Sequence, residues 1–199
     1  MPLRWLIFDY GNVISRQSEV VPELAALLGV EPEPFARGYW RFRDVYDRGW
    51  TDLRYWRAVG HAAGKRVTVR QAAQLTRVDL AGWRETAPEV VTLLGELNRA
   101  GAALALLSNA PRSHGRFFRR QPWSALFHHL VFSGEVGVAK PESDVWRVLL
   151  QHLGCAPADC LFFDDRRSNI DSARAAGIPA RHWTGPAEAR QAIAEAGFH

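Results

Sequence analysis

The sequence predicts a doubly wound, parallel α/β sheet with a small all-helical cap inserted after the first strand. Three observations predict it. The apolar run from Leu3 to Phe8 stops abruptly at Asp9, Gly11 and Asn12, as a buried strand followed by a tight turn does. From about Ser18 to Thr86, apolar residues recur at helical spacing and strand-like alternation is nearly absent. Beyond Ala87, short apolar runs alternate with amphipathic stretches, the pattern of parallel strands joined by right-handed helical crossovers.

The division that follows is a core of residues 1–17 and 87–199 around a cap of residues 18–86. Within the cap, Leu24, Leu27 and Leu28, then Phe35, Tyr39 and Phe42, then Trp56 and Val59 mark successive helices. Pro88 suits the first turn of a helix through Leu97, and Gly101 suits its end. A buried strand is expected at Ala103 to Leu107, a helix at Arg112 to Arg120 and a strand at Leu130 to Phe132. A helix from Ser143 to Leu153, a strand at Cys160 to Phe163 and a helix from Ser168 to Ala176 come next. A short strand at Ala180 to Trp183 and a helix from Pro186 complete the alternation.

Composition narrows the function classes. The chain has 199 residues, 47% hydrophobic and 23% charged, enough for one full core and an accessory module. Its longest apolar runs are far below the roughly 18 residues of a membrane span, and its N-terminus does not have the layout of a signal peptide. A cytoplasmic protein without a membrane partner is expected. The net charge of +4 suits an anionic substrate, but the arginines are scattered, which argues against nucleic acid. Arg112, Arg116, Arg119 and Arg120 fit the solvated side of one helix. Cys155 and Cys160 are too few for a zinc site and are expected as reduced, structural residues. A monomer and a homodimer are equally compatible with this composition.

In parallel sheets of this kind the site lies beyond the carboxyl ends of the strands. Those ends carry Asp9, then Ser108 and Asn109, then Lys140, then Asp164 with Asp165. Singly, each is explained by a cap, a turn or a solvated loop. Together they have a shared chemistry. Carboxylates converging on one point repel unless a cation sits among them, and an all-oxygen donor set suits Mg²⁺. A carboxylate beside such an ion can attack phosphorus, while an ammonium, a hydroxyl and turn amides neutralise the transferring phosphoryl group.

Four segments carry a family resemblance: Leu6-Ile-Phe-Asp-Tyr-Gly-Asn-Val13, Leu106-Leu-Ser-Asn109, Gly137-Val-Ala-Lys-Pro141 and Phe162-Phe-Asp-Asp165. With Asn169 and Ala173-Arg-Ala-Ala-Gly177, they resemble the ordered motifs of the haloacid dehalogenase superfamily. Asp47-Arg-Gly49 followed by Tyr55-Trp56 is similar to the small helical cap of one subfamily. The resemblance implies a Rossmann-like core and a Mg²⁺-dependent phosphatase with Asp9 as nucleophile. It implies Mg²⁺ ligands at Asp9, the Gly11 main-chain carbonyl, Asp165 and Asp164. Ser108, Asn109, Lys140 and the Gly11–Asn12 turn would take the phosphate of a small phosphorylated substrate, with Asn169 supporting the carboxylates.

Gly11 departs from the pattern. Phosphatases of this superfamily usually carry there an Asp that protonates the leaving alcohol, a contribution of roughly 10²- to 10⁴-fold. The Phe-Asp-X-Gly-Asn-Val run is similar to the sugar-1-phosphate phosphatase branch, whose leaving group needs less help. Substitute donors in the cap are Asp47, Tyr46 and His61, against bland roles as a turn residue, a core residue and an exposed residue. Trp40, Trp50 and Trp56 belong either to a substrate pocket or to the cap's core. Two other readings accommodate Gly11: a metal-independent 2-haloacid dehalogenase, whose motif carries its Tyr one place later than Tyr10, and a non-catalytic binding module.

Overall fold

The computed structural model describes residues 5–16 and 19–197; the expected strand start at Leu3 and the cap boundary at 17–18 lie outside them. Five strands are present: β1 (Trp5–Phe8), β2 (Ala103–Ser108), β3 (His129–Phe132), β4 (Cys160–Asp164) and β5 (Ala180–His182). They form one sheet in the order β3-β2-β1-β4-β5, and every pairing is parallel. The chain first builds outward from β1 through β2 to β3, then returns to β1's other side with β4. That reversal at β1 is the switch point where such sheets open a crevice.

Alternation along the strands explains why both faces are covered. Leu6 and Phe8 of β1, Leu104 and Leu106 of β2, and Leu161 and Phe163 of β4 enter one apolar cluster. Trp5 and Ile7, Ala105 and Leu107, and Cys160 and Phe162 enter a second on the opposite face. Central strands buried on both sides read as continuous apolar runs, which made them visible in the sequence. Helices α6 (Pro88–Arg99), α7 (Arg112–Phe118) and α11 (Pro186–Glu195) cover the first face. Helices α9 (Ser143–Leu153) and α10 (Arg167–Ala175) cover the second. The one-turn helix α8 (Ser133–Val136) and the 3₁₀ turns at Pro122–Leu126 and Pro157–Asp159 are too short to leave a periodic signal. The sulfurs of Cys155 and Cys160 lie 3.4 Å apart, well beyond the ~2.05 Å of a disulfide.

Five helices lie between β1 and α6: α1 (Val21–Leu28), α2 (Pro32–Arg41), α3 (Arg43–Asp47), α4 (Asp52–Ala62) and α5 (Val69–Gly82). They have their own apolar cluster, built on Leu24, Phe35, Tyr39, Tyr46, Tyr55, Trp56 and Leu75. Trp56 is core, its indole N–H donating to Thr76 Oγ1 at 2.8 Å, while Trp40 is 53% exposed. Tyr46 and Tyr55 stack with ring centroids 3.9 Å apart. The two chain crossings into this helical body are joined by a bridge between Ser15 and Thr86 and by Ala87 N donating to Ile14 O.

Helix α8 approaches the start of α7 so closely that a Cβ at Gly134 would meet Ala110 O and Arg112 N at 2.7 Å. Neither backbone atom can swing aside. Gly134→Ala is therefore expected to cost about 1–3 kcal/mol in urea unfolding. Gly95 lies inside α6 with nothing within 4 Å of the added Cβ, so Gly95→Ala should stabilise by about 0.5–1 kcal/mol in the same measurement.

Candidate active site

The register of β1 on β4 pairs Phe8 with Phe163, so the next residues, Asp9 and Asp164, emerge side by side at the sheet's carboxyl edge. Both are buried, and Lys140 lies between them. Its Nζ is 2.8 Å from Asp9 Oδ1 and 2.6 Å from Asp164 Oδ2, and it donates to Leu107 O at 2.9 Å. Burial opposes the ammonium charge, but Asp9 and Asp164 outweigh it and hold Lys140 above its ordinary pKa. For Asp9 the balance runs the other way: burial pushes its carboxyl up to about 7 against the pull of Lys140, with Asp164 adding to the push.

Lys140 itself lies eight residues beyond β3, past α8, so a loop and not a strand end delivers it. Asn109 fixes that loop. Its Nδ2 donates to Lys140 O at 2.8 Å and its Oδ1 accepts from Lys140 N at 2.9 Å. Both ends of the Asn109 amide are thus engaged by the main chain of Lys140, which holds the lysine in place. Ser108, at the end of β2, lines the same cavity as Asp9.

Asp9, Asp164 and Asp165 each offer an oxygen, all within 4.8 Å of one another. Three carboxylates stand there against a single ammonium, an all-oxygen donor set that fits one hard divalent cation. The late pair differs in character. Asp164 is fully buried and accepts from Arg166 N (2.8 Å), from Lys140 Nζ, and from Asn169 Nδ2 at 2.9 and 3.0 Å on its two oxygens. Asp165 is half-buried, and its Oδ2 accepts only from Asn12 Nδ2 at 3.0 Å. Asn12 adopts a left-handed φ of 54°, a conformation Asn tolerates better than most residues.

The turn after Asp9 is tight, with the amides of Val13, Ile14 and Ser15 all pointing at Tyr10 O. Tyr10 N donates to Asp9 Oδ1 at 2.7 Å and Asn12 N to Ser15 Oγ at 3.3 Å. Gly11 N is left as the turn amide with no acceptor among the described residues. Gly11 does not need to be glycine for space: an added Cβ would come no nearer than 3.9 Å to Trp83 Cζ3.

Above these groups is a cavity of about 330 Å³, whose upper wall is Trp40, Arg43, Asp44, Asp47 and Trp83 from the helical insert. Of the three substitute donors, His61 is exposed and Tyr46 is buried against Asp52 and Ser113; neither lines the cavity. Asp47 does. Arg43, His114 and Trp83, which no sequence motif marks, line it too, with buried Asp79 against Arg43 and His114. Arg43 Nε donates to Asp47 Oδ1 at 2.9 Å, Tyr39 OH donates to Asp79 Oδ1 at 2.7 Å, and Arg43 also reaches Tyr39 OH at 2.8 Å. His114 Nε2 on α7 lies 3.2 Å from Asp79 Oδ2 on α5, within ion-pair range though off the line of a hydrogen bond. Only Arg43 and Asp47, one helical turn apart, left any signal for such a cluster in the sequence.

Lys140→Met removes the only ammonium between two buried carboxylates, and about 3 kcal/mol of stability should be lost in urea unfolding without divalent metal. His114 gives a pH signature. Burial holds its imidazole below the ordinary value of 6.5 even though Asp79 pulls upward, with Arg43 lowering it further and Asp52 opposing. As the pH falls through 6.5 the unfolded chain takes up this proton first, so stability declines as the pH falls through and below that value. In His114→Gln that part of the decline should vanish, as measured by the difference in unfolding free energy between the two proteins across this pH.

A family model for haloacid dehalogenase-like hydrolases matches residues 3–177. Over 103 residues the chain is 30% identical to the protein CbbY of Cupriavidus necator, covering 50% of the chain and 41% of that protein. It is 35% identical over 97 residues to a phosphoserine phosphatase of Thermus thermophilus, covering 47% of the chain and 38% of that enzyme. These matches span about two fifths of the relatives' length. A sesquiterpene phosphatase, astK, of Aspergillus oryzae matches at 25% identity over 189 residues, covering 89% of the chain and 88% of that protein. Among solved structures, a HAD family enzyme, bt-2542, of Bacteroides thetaiotaomicron superposes with a TM-score of 0.75 at 20% identity, over 92% of this chain and 95% of that one. The L-2-haloacid dehalogenase RSc1362 superposes at 0.70 with 18% identity, over 90% and 86%. With one family model spanning most of its length, and Asp164 at the end of β4 with Asp165 just beyond it beside the end of β1, the chain belongs to the haloacid dehalogenase-like hydrolases.

Proposed function

We propose that the protein is a Mg²⁺-dependent phosphatase that hydrolyses a small phosphate monoester, such as a sugar phosphate, through an aspartyl-phosphate on Asp9. The observation that carries this reading is the convergence of Asp9, Asp164 and Asp165, with one lysine paired to the first two. Asp165, Asp9 and the Gly11 carbonyl would hold Mg²⁺. Asp164, whose oxygens already accept from Lys140, Asn169 and Arg166 N, would contribute mainly charge. Bound Mg²⁺ supplies positive charge that lets an anionic nucleophile approach an anionic ester.

The chain's own groups do the rest. Asp9 Oδ2, the oxygen not held by Lys140 and Tyr10 N, attacks phosphorus. Lys140, the Ser108 hydroxyl and Gly11 N face the charge on the equatorial oxygens, where prearranged donors are worth most. Residues 18–86 act as a cap that closes the cavity above the phosphate, and Trp40 and Trp83 offer flat apolar surface to the organic part. The similarity to named phosphatases agrees with this chemistry, and a 330 Å³ cavity suits a small ester without a nucleic-acid or membrane partner. No helix among the described residues is long and apolar enough to cross a membrane.

The dehalogenase reading has its support in the shared fold of solved L-2-haloacid dehalogenases. One experiment separates the two. Phosphate release from p-nitrophenyl phosphate and a panel of sugar phosphates should require Mg²⁺, and chelation or Asp9→Asn should each lower it by about 10³-fold or more. Chloride release from 2-chloropropionate, followed in parallel, should be absent. Turnover indifferent to both Mg²⁺ and Asp9 would sink the proposal, and an intact protein inactive on every ester would favour a binding module.

A further inference from the structure

An alkoxide expelled from phosphorus needs a proton, and Gly11 has no side chain to give one. The donor must then come from the walls of the cavity. Besides the phosphate-end groups, the charged or titratable side chains lining it are Tyr10, Arg43, Asp44, Asp47, His114 and Arg166, and the Tyr10 hydroxyl already donates to Trp83 O at 2.6 Å. The two arginines keep their protons. Asp44 has a 67% exposed side chain and is held on the outside by Arg48 at 2.8 and 3.1 Å. His114 faces Asp79 with Nε2 and lies 3.4 Å from Ser113 Oγ with Nδ1, so neither ring nitrogen is directed to a substrate.

Asp47 remains. Its side chain is 12% exposed, and only Oδ1 is engaged, by Arg43 Nε; Oδ2 accepts no hydrogen bond among the described residues. From the cavity they share, we infer that Asp47 protonates the leaving oxygen, in place of the carboxylate absent at position 11. The inference rests on the phosphatase reading above.

The step balances. Asp9 Oδ2 forms a bond to phosphorus while the bond from phosphorus to the ester oxygen breaks. The electron pair stays on that oxygen, which takes the proton of the Asp47 carboxyl and departs as an alcohol. Asp47, now a carboxylate, takes a proton back from the water that attacks the aspartyl-phosphate, releasing phosphate and regenerating Asp9. Its surroundings suit both halves. Burial pushes the Asp47 carboxyl up to about 6 against Arg43, with Asp79 and Asp44 adding to the push. A group poised near neutrality serves as acid and then as base.

The test is the dependence of kcat/KM on the leaving group, since kcat/KM reports the steps through phosphoryl transfer. Wild type and Asp47→Asn are assayed with Mg²⁺ on a series running from p-nitrophenyl phosphate through phenyl phosphate to an alkyl phosphate. The loss in Asp47→Asn should be smallest for p-nitrophenyl phosphate and grow along the series, reaching about 10²- to 10⁴-fold on the alkyl ester. An added Cβ at position 11 would come no nearer than 3.9 Å to Trp83 Cζ3, so Gly11→Asp added to Asp47→Asn should recover the alkyl-ester rate. Losses equal along the whole series would make Asp47 a structural residue and overturn the inference, as would rates unchanged from wild type. A wild-type protein that releases no phosphate from any ester would instead sink the phosphatase reading itself.

Discussion

Everything at the carboxyl edge of the sheet depends on one ammonium between two buried carboxylates. Asp9 and Asp164 are neighbours because β1 and β4 pair in register, and the backbone gives neither an alternative position. Without Lys140 their mutual repulsion and desolvation would both favour protonation, and a protonated Asp9 is no nucleophile. Lys140 is placed accordingly. The Asn109 amide grips its peptide on both sides, and Leu107 O accepts its third proton. Because that cation balances only one of three carboxylates, the cluster keeps a charge deficit that a divalent ion matches.

The helical insert meets this edge with polar groups as well as apolar ones. Tyr46 OH lies 3.2 Å from Ser113 Oγ, Ser133 Oγ donates to Asp47 O, and His114 faces Asp79. Arg48 on the insert also reaches Glu142 at 3.0 Å. These contacts all lie beside α3, the five-residue helix that carries Arg43 and Asp47 at its two ends. Such short helices have little stability of their own, so the contacts across to α7 and α8 fix where Asp47 points.

The sheet was legible because each central strand is an apolar run buried on both faces, and the site because its side chains stand where those runs stop. Asp9, Ser108, Asp164 and Asp165 are placed by that rule alone. Lys140 was found by its motif although a helical turn separates it from β3. What sequence patterns could not show is how a polar side chain is used. Asn109 has the chemistry of a phosphate ligand, yet its amide holds the main chain of Lys140 on both sides. The Arg43, Asp79 and His114 cluster was invisible for another reason. Its members come from three helices of two bodies, and each residue in its own helix reads as an ordinary polar position.

Gly11 gains meaning from this charge balance. The backbone there has no positive φ and the neighbouring space is open, so geometry does not exclude a side chain. An Asp at position 11 would add a fourth carboxylate to a cluster that holds one ammonium. Glycine keeps the main-chain carbonyl without that charge. Carrying the acid on the insert moves its negative charge away from the cluster, where Arg43 compensates it. The proposed proton donation thereby depends on how α3 sits against α7 and α8: Asp9 belongs to the sheet, Asp47 to the insert, and their contact brings both into one cavity.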